Sequence, residues 1–65
     1  MIKLYTIDCP ACNVLEKKLE HKGIAYEKIT DEKVFREKGI DRFPMLEVDG
    51  TLQDFSTSVQ WVNSQ

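Results

Sequence analysis

Apolar and polar positions at the start of the chain predict a strand followed by a helix. Residues 2–7 alternate and are rich in β-branched and aromatic side chains, which is typical of a β-strand. From Pro10 onwards the period becomes that of a helix, with apolar positions at Val14, Leu15 and Leu19. Pro10 suits the first helical position because its fixed φ is helical and its missing N–H is not needed there. Gly23 is a natural end for this helix.

The middle of the chain predicts a second strand and a short second helix. Residues 24–29 have the composition of a strand. Thr30 or Asp31 follows as the cap of a helix that ends at Gly39, with a lysine in its last turn. This helix would direct two apolar side chains inward, Val34 and Phe35.

The last part of the chain predicts a hairpin and a closing helix. Residues 45–48 and 51–53 are short strands separated by Asp49-Gly50, a dipeptide that favours a two-residue hairpin turn. A final helix follows, with Asp54 or Ser56 as its cap. It would bury two valines and carry a tryptophan at its edge: Val59, Val62 and Trp61.

These elements predict a single α/β domain over residues 1–65, in the order β-α-β-α-β-β-α. The first two strands and the helix between them form a βαβ unit, which is parallel and right-handed by strong preference. Because the hairpin adds antiparallel strands, we expect one four-stranded mixed sheet covered by helices. A domain of this length buries only about 60% of the surface that its unfolded chain exposes, so its stability should be modest.

Composition and charge narrow the classes of function. The chain is 42% hydrophobic and 31% charged, which is typical of a globular domain rather than a disordered tail. Its net charge is −2, and its lysines are interspersed with glutamates, so no basic patch can be read from the sequence and no nucleic-acid partner is expected. No apolar run approaches the roughly 18 residues of a membrane helix, and no secretory signal is evident. We therefore expect a cytoplasmic protein without a membrane partner.

The two cysteines of the chain carry its candidate chemistry. Cys9 and Cys12 form a C-x-x-C pair at the turn from strand to helix, a spacing that indicates redox chemistry or a metal. Near the free N–H groups and positive end of the helix, Cys9 would favour the thiolate. Its thiolate would attack an external disulfide, and Cys12, one turn further on, would resolve the mixed disulfide. Two incidental helix cysteines, or half of a metal site, are the alternatives.

Features around this motif resemble those of the glutaredoxin family over essentially the whole chain. They are Tyr5-Thr6 before the motif Cys9-Pro10-Ala11-Cys12, and Phe43-Pro44 followed by a hairpin. The resemblance implies a minimal thioredoxin fold in which Cys9 is the nucleophile and Cys12 the resolving thiol. It also implies that Pro44 is a cis-proline facing the active site. The backbone of Phe43 would then pair with an extended substrate.

The resemblance implies a set of substrate-contacting residues beside the two cysteines: Pro10, Ala11, Arg42, Phe43, Pro44, Asp54, Phe55 and Ser56. Arg42 would anchor a carboxylate of glutathione or of a partner protein, unless it is simply solvated. Free N–H groups at the start of the last helix could also hold a carboxylate. His21 lies far from Cys9 by helical rise, and we expect it to act as a partner of the helix C-terminus.

The chain departs from the glutaredoxin pattern at four places. Ala11 stands where the family typically has a tyrosine, and Ile7 is nearest to the position of a frequent lysine. Asp8 directly precedes Cys9, where a carboxylate should oppose thiolate formation unless it is only a turn residue. Asp54-Phe55 replaces the Gly-Gly pair of most glutathione-binding members, so a tight fit to glutathione is not expected.

The expected partners follow from the same resemblance. It implies a monomer with no bound cofactor, and a disulfide-containing protein as substrate. The short glutaredoxin-like redoxins that the chain also resembles donate electrons to ribonucleotide reductase, so that enzyme is among the expected substrates. Glutathione or a thioredoxin-reductase-like flavoprotein would return the electrons, and the sequence does not choose between them.

Two functions from other classes stay open. One is a metal or iron–sulfur binding module, which would need a homodimer or added glutathione because one cysteine pair supplies only two of the usual four ligands. The other is a binding module that has the fold without turnover, which the presence of both thiols disfavours.

Overall fold

The structure, a computed structural model, describes all residues from 1 to 65 and contains four strands and three helices. In chain order they are β1 (Ile2–Tyr5), α1 (Pro10–His21), β2 (Glu27–Ile29), α2 (Glu32–Lys38), β3 (Met45–Val48), β4 (Thr51–Gln53) and α3 (Phe55–Asn63). The predicted order of elements is therefore confirmed. No helix is both long enough and apolar enough to cross a membrane.

The strands form one mixed sheet in the order β2-β1-β3-β4. Strand β1 pairs in parallel with β2 and antiparallel with β3, and β3 pairs antiparallel with β4. In this register Tyr5, the last residue of β1, lies opposite Met45, the first residue of β3. The expected α/β architecture is confirmed, and its order is compatible with a minimal thioredoxin-like fold.

Helices α1 and α3 share a core with the two central strands. Five fully buried side chains form this core: Leu4, Leu15, Leu19, Leu46 and Val62. Side chains alternate between the faces of a strand, so Tyr5 points to the opposite face. There its ring meets the ring of Phe35 on α2, with the centroids 6.3 Å apart. Helix α2 therefore covers the second face of the sheet.

Two strands are shorter than the sequence predicts. Strand β1 ends at Tyr5 rather than residue 7, because Asp8 takes a left-handed φ of 63° that turns the chain. Strand β2 begins at Glu27 rather than residue 24, because the chain there still belongs to the end of α1. Gly23, with φ of 69°, donates to Glu20, and Ile24 donates to Leu19. These two bonds form a Schellman motif.

The helix boundaries follow the predicted caps more closely. Asp31 and Asp54, rather than Thr30 and Ser56, cap α2 and α3. Their carboxylates accept the backbone N–H groups of Lys33 and Thr57, each at 2.9 Å. Carboxylates are strong caps because the positive end of the helix dipole also stabilises their negative charge.

One apolar residue is placed differently from its expected position in the core. Val14 is 46% exposed, because only Cys12, Leu15 and Leu19 lie on the stripe of α1 that faces the sheet. Phe35 and Val62 are buried as predicted. The remaining predicted core positions and the edge tryptophan are half-buried: Val34, Val59 and Trp61.

Candidate functional site

Cys9 and Cys12 are joined by a disulfide at the start of α1. Cys9 is the N-cap of the helix, with extended φ and ψ of −108° and 162°, and Pro10 follows in the first turn. Their Cα atoms are 4.9 Å apart. Cys12 is fully buried, whereas Cys9 is half-buried. An approaching disulfide can therefore reach Cys9 before Cys12.

The sulfur of Cys9 takes the role that an oxygen plays in most helix caps. It accepts the backbone N–H of Cys12 at 3.1 Å. The carbonyl oxygen of Cys9 accepts the N–H of Asn13 at 2.9 Å, which is the first bond of the helix. An N–H donor and the positive end of the helix dipole both stabilise negative charge on this sulfur.

The turn before Cys9 is held by a buried hydroxyl. Asp8 is exposed, and its N–H donates to Oγ1 of Thr6 at 3.4 Å. Thr6 is fully buried, and its own N–H donates to the carbonyl of Ile29 on the neighbouring strand at 3.1 Å. This anchoring fixes the end of β1 and therefore the position from which Cys9 begins the helix.

The charge of Asp8 has a cation near it. Lys28 lies on β2 and contacts the carboxylate of Glu16 on α1 at 2.9 Å. The hydrogen bond to Glu16 raises the pKa of Lys28, and the nearby charge of Asp8 acts in the same direction. Lys28 is therefore flanked by two carboxylates, with Glu16 as its direct partner and Asp8 as a more distant one.

The loop that precedes β3 lies at the same end of the sheet as the cysteines. The register places Met45 opposite Tyr5, so Pro44 lies beside the chain that leads from β1 to Cys9. The Phe43–Pro44 peptide bond is cis, as the resemblance implies, and Pro44 is buried. The ring of Phe43 packs edge-on against Phe35, with the centroids 4.7 Å apart.

Sequence reasoning missed a polar network on the face of the sheet that α2 covers. The hydroxyl of Tyr5 donates to Oε1 of Glu47 at 2.9 Å, and Nζ of Lys38 donates to the same oxygen at 3.3 Å. The bond from Tyr5 lowers the pKa of Glu47, and Lys38 lowers it further. Burial raises the pKa of Tyr5. Because Glu47 is 42 positions away from Tyr5, no local sequence signal could have found this pair.

A groove that the sequence did not suggest lies on the α2 side of the Phe43 loop. It has a volume of about 320 Å³ and is lined by Ile7, Glu32, Phe35, Arg36, Ile40 and Phe43. Ile7 is 54% exposed and stands two positions before Cys9. Two of its lining residues, Ile7 and Phe43, are close in sequence to the cysteine motif and to Pro44.

The start of α3 meets the same end of the sheet. Gln53, the last residue of β4, pairs with Leu46 near the start of β3. Asp54 then caps α3, and the hydrogen bond from Thr57 lowers its pKa, with the charge of Arg42 acting in the same direction. Phe55 packs against the core, while Ser56 is exposed.

Most of the site residues named from the sequence lie at one end of the sheet, and His21 lies elsewhere. The end of the sheet brings the cysteine motif, the Phe43-Pro44 loop and the cap of α3 to one region, with Arg42 exposed beside Asp54. His21 stands in the last turn of α1, away from this region. No group of three or more His, Cys, Asp or Glu side chains is arranged to hold a metal ion.

No family model matches the sequence, and no curated protein is similar to it. What the site itself shows is a half-buried and a fully buried cysteine joined by a disulfide at a helix N-terminus, an arrangement that is compatible with redox chemistry.

Proposed function

We propose that the protein is a glutaredoxin-like dithiol–disulfide oxidoreductase that works through Cys9 and Cys12. The observation that supports the proposal is the position of Cys9 as the N-cap of α1, with its sulfur bonded to Cys12 and within 3.1 Å of the Cys12 N–H. A cysteine in this position gains thiolate character from the helix end. The burial of Cys12 leaves Cys9 as the sulfur that meets the substrate.

The reaction proceeds by two exchanges. In the reduced protein the Cys9 thiolate attacks one sulfur of a substrate disulfide, which forms a mixed disulfide and releases the other substrate sulfur as a thiolate. Cys12 then loses its proton and attacks the sulfur of Cys9, which closes the Cys9–Cys12 disulfide and releases the second substrate thiolate. The two released thiolates take up protons from water. Two electrons pass from the protein dithiol to the substrate.

The backbone of Phe43 is proposed to orient the substrate. Phe43 lies outside the strands, and its N–H donates none of the hydrogen bonds found in the loops. An extended peptide could therefore pair with it as an added strand does. Its ring is held by Phe35, so the backbone beside Pro44 has a defined position. This arrangement would carry the substrate sulfur towards Cys9.

The electron donor is proposed to be a flavoprotein reductase rather than glutathione. The N–H of Thr57 at the start of α3 is already bonded to the carboxylate of Asp54 at 2.9 Å. That N–H is not free for a carboxylate of glutathione, and the charge of Asp54 would repel one. Disulfide-containing proteins, including ribonucleotide reductase, are the proposed substrates.

Reduction of the Cys9–Cys12 disulfide by two donors, measured side by side, tests the proposal. One reaction contains glutathione with glutathione reductase and NADPH, and the other contains a thioredoxin reductase with NADPH. We expect NADPH consumption with the thioredoxin reductase when a protein disulfide such as insulin is present, and none with Cys9→Ser. Failure of both donors, together with zinc or visible absorbance in a sample purified without oxygen, would favour the metal-binding alternative.

A further inference from the structure

One exposed stripe of α1 runs from the cysteine motif to the far end of the helix. Pro10, Val14, Lys17 and His21 follow one another at intervals of four, three and four residues, so they share one face. All four are exposed, including the apolar side chain of Val14 at 46%. At 1.5 Å per residue the stripe is about 16 Å long. It begins beside Cys9.

A basic groove lies at the far end of this stripe. It has a volume of about 310 Å³ and is formed where the C-terminal ends of α1 and α3 meet, by Lys17, Lys18, His21, Lys22, Val62 and Asn63. The groove has no acidic side chain in its lining. Val62 is fully buried and forms part of the floor beneath the polar residues.

The lysines of this groove have no aspartate or glutamate partner in the structure. The four salt bridges use other cations: the amino group of Met1, Lys28, Arg36 and Lys38. Lys22 donates to the main-chain oxygen of Gln65, at 3.3 Å, so Lys17 and Lys18 are the lysines of the groove without a hydrogen-bonded partner. The glutamates of α1 lie on its other flank, where Glu16 binds Lys28 and Glu20 accepts the hydroxyl of Tyr26. In a chain with a net charge of −2, this is a concentration of positive charge.

We propose that the α1 stripe and its basic groove dock an acidic segment of the redox partner protein while the partner's sulfur reaches Cys9. The inference rests on the proposed function, because it places the groove on the partner's path to the cysteines. Carboxylates of the partner would meet the lysines, and an apolar residue would meet Val14. A nucleic acid fits less well, because its phosphates would need positive charge along the whole stripe and only the far end supplies it.

Two synthetic peptides test this docking. Each carries one cysteine as a mixed disulfide with thionitrobenzoate, followed after five neutral residues by four glutamates in one peptide and four glutamines in the other. Five extended residues span about 16 Å, which matches the stripe. With pre-reduced protein in low salt, we expect thionitrobenzoate release to be about tenfold faster from the glutamate peptide. The difference should disappear in about 0.5 M salt, where surface charges are screened.

Charge reversal in the groove provides the matched variants. Lys17→Glu and Lys22→Glu should each reduce the advantage of the glutamate peptide while leaving the rate with the glutamine peptide unchanged. Lys33→Glu makes the same charge change at an exposed lysine of α2 that has no salt bridge, and it should leave the ratio of the two rates unchanged.

The outcomes separate the two proposals. No release from either peptide would contradict the redox function itself. Equal rates for both peptides at low salt, or an equal loss with Lys33→Glu, would overturn the docking surface while leaving the redox function standing. A competition experiment tests the nucleic-acid alternative, with a single-stranded DNA of four phosphates and a free glutamate peptide as inhibitors of the reaction of the glutamate peptide. If the DNA inhibits at the lower concentration, the docking surface for an acidic protein segment is overturned in favour of a nucleic-acid surface.

Discussion

The backbone N–H of Cys12 points at the sulfur of Cys9, at a distance of 3.1 Å. The residue that would resolve the mixed disulfide therefore also stabilises, through its main chain, the sulfur that would attack first. This contact uses no side-chain atom of Cys12, so it survives substitution of the Cys12 thiol. The two roles of the motif can accordingly be separated by mutation.

Replacement of the cysteines one at a time should assign their roles. We expect Cys12→Ser to accumulate a mixed disulfide with the substrate through Cys9, because attack proceeds and resolution does not. Cys9→Ser should form no such adduct under the same conditions. Mass spectrometry of acid-quenched mixtures measures both results. Adducts that form on Cys12 of Cys9→Ser, and not on Cys9 of Cys12→Ser, would reverse the assignment.

Asp8 and Lys28 should shift the reactivity of Cys9 in opposite directions. Removing the carboxylate with Asp8→Asn should increase the thiolate fraction of Cys9 at a given pH, because a like charge beside the sulfur is lost. Lys28→Met should decrease it, because the charges of Glu16 and Asp8 then have no cation beside them. The rate of alkylation of the reduced protein, measured against pH, gives the pH at which half of Cys9 is thiolate. This midpoint should move to lower pH in Asp8→Asn and to higher pH in Lys28→Met.

Two controls accompany this measurement. Both midpoint shifts should shrink in high salt, since Asp8 is exposed and Lys28 is half-exposed. Lys22→Met removes a cation at the other end of α1 and should leave the midpoint in place. If Asp8→Asn leaves the midpoint unchanged or raises it, Asp8 is only a turn residue.

The Glu47 carboxylate should make the stability of the fold depend on pH. Its pKa is lowered in the folded protein from an ordinary value of 4.5 by the hydrogen bond from Tyr5. A lowered folded pKa contributes stability that is present above pH 4.5 and is lost as the pH falls through the folded pKa. At pH 7, Glu47→Gln should lower the free energy of unfolding by about 1–2 kcal/mol. Urea denaturation at pH 7 and pH 3 should show a smaller difference at the lower pH.

Glu37 supplies the control for Glu47. It lies on α2, is exposed and makes no salt bridge, so Glu37→Gln should change the unfolding free energy by less than about 0.5 kcal/mol at either pH. A Glu47→Gln variant as stable as the wild type at pH 7 would contradict a supporting role for the network with Tyr5.

Phe35 should affect the KM for substrate, because its ring positions the loop that contains Phe43. Phe35→Leu keeps an apolar side chain at a position that is 6% exposed but removes the ring that packs on Phe43 at 4.7 Å. We expect KM for a peptide disulfide to rise severalfold with a smaller change in kcat, because the backbone of Phe43 is then less well positioned. Val59→Leu, a change in the half-buried apolar surface of α3, should leave KM unchanged. Equal effects of both variants would indicate a general loss of stability instead.

Local signals in the sequence were sufficient for the order of elements and for the cysteine pair. Pro10 and the apolar repeat after it define α1, and Asp49-Gly50 defines the hairpin, because each acts within a few residues of itself. The caps were narrowed to two candidates each for the same reason. The strand ends were less accurate, since the left-handed turn at Asp8 and the helix end at Gly23 shorten β1 and β2.

Tertiary structure decided every relationship between distant parts of the chain. The sequence shows that Lys17 and Glu16 are neighbours, but only the folded helix places the lysine in the groove against α3 and the glutamate against Lys28. The bond from Tyr5 to Glu47 likewise depends on the pairing of β1 with β3. A local pattern specifies which residues point together on one element. The packing of the whole sheet determines which other element these residues contact. Ion pairs and aromatic contacts between distant elements therefore cannot be predicted from the spacing of residues along the chain.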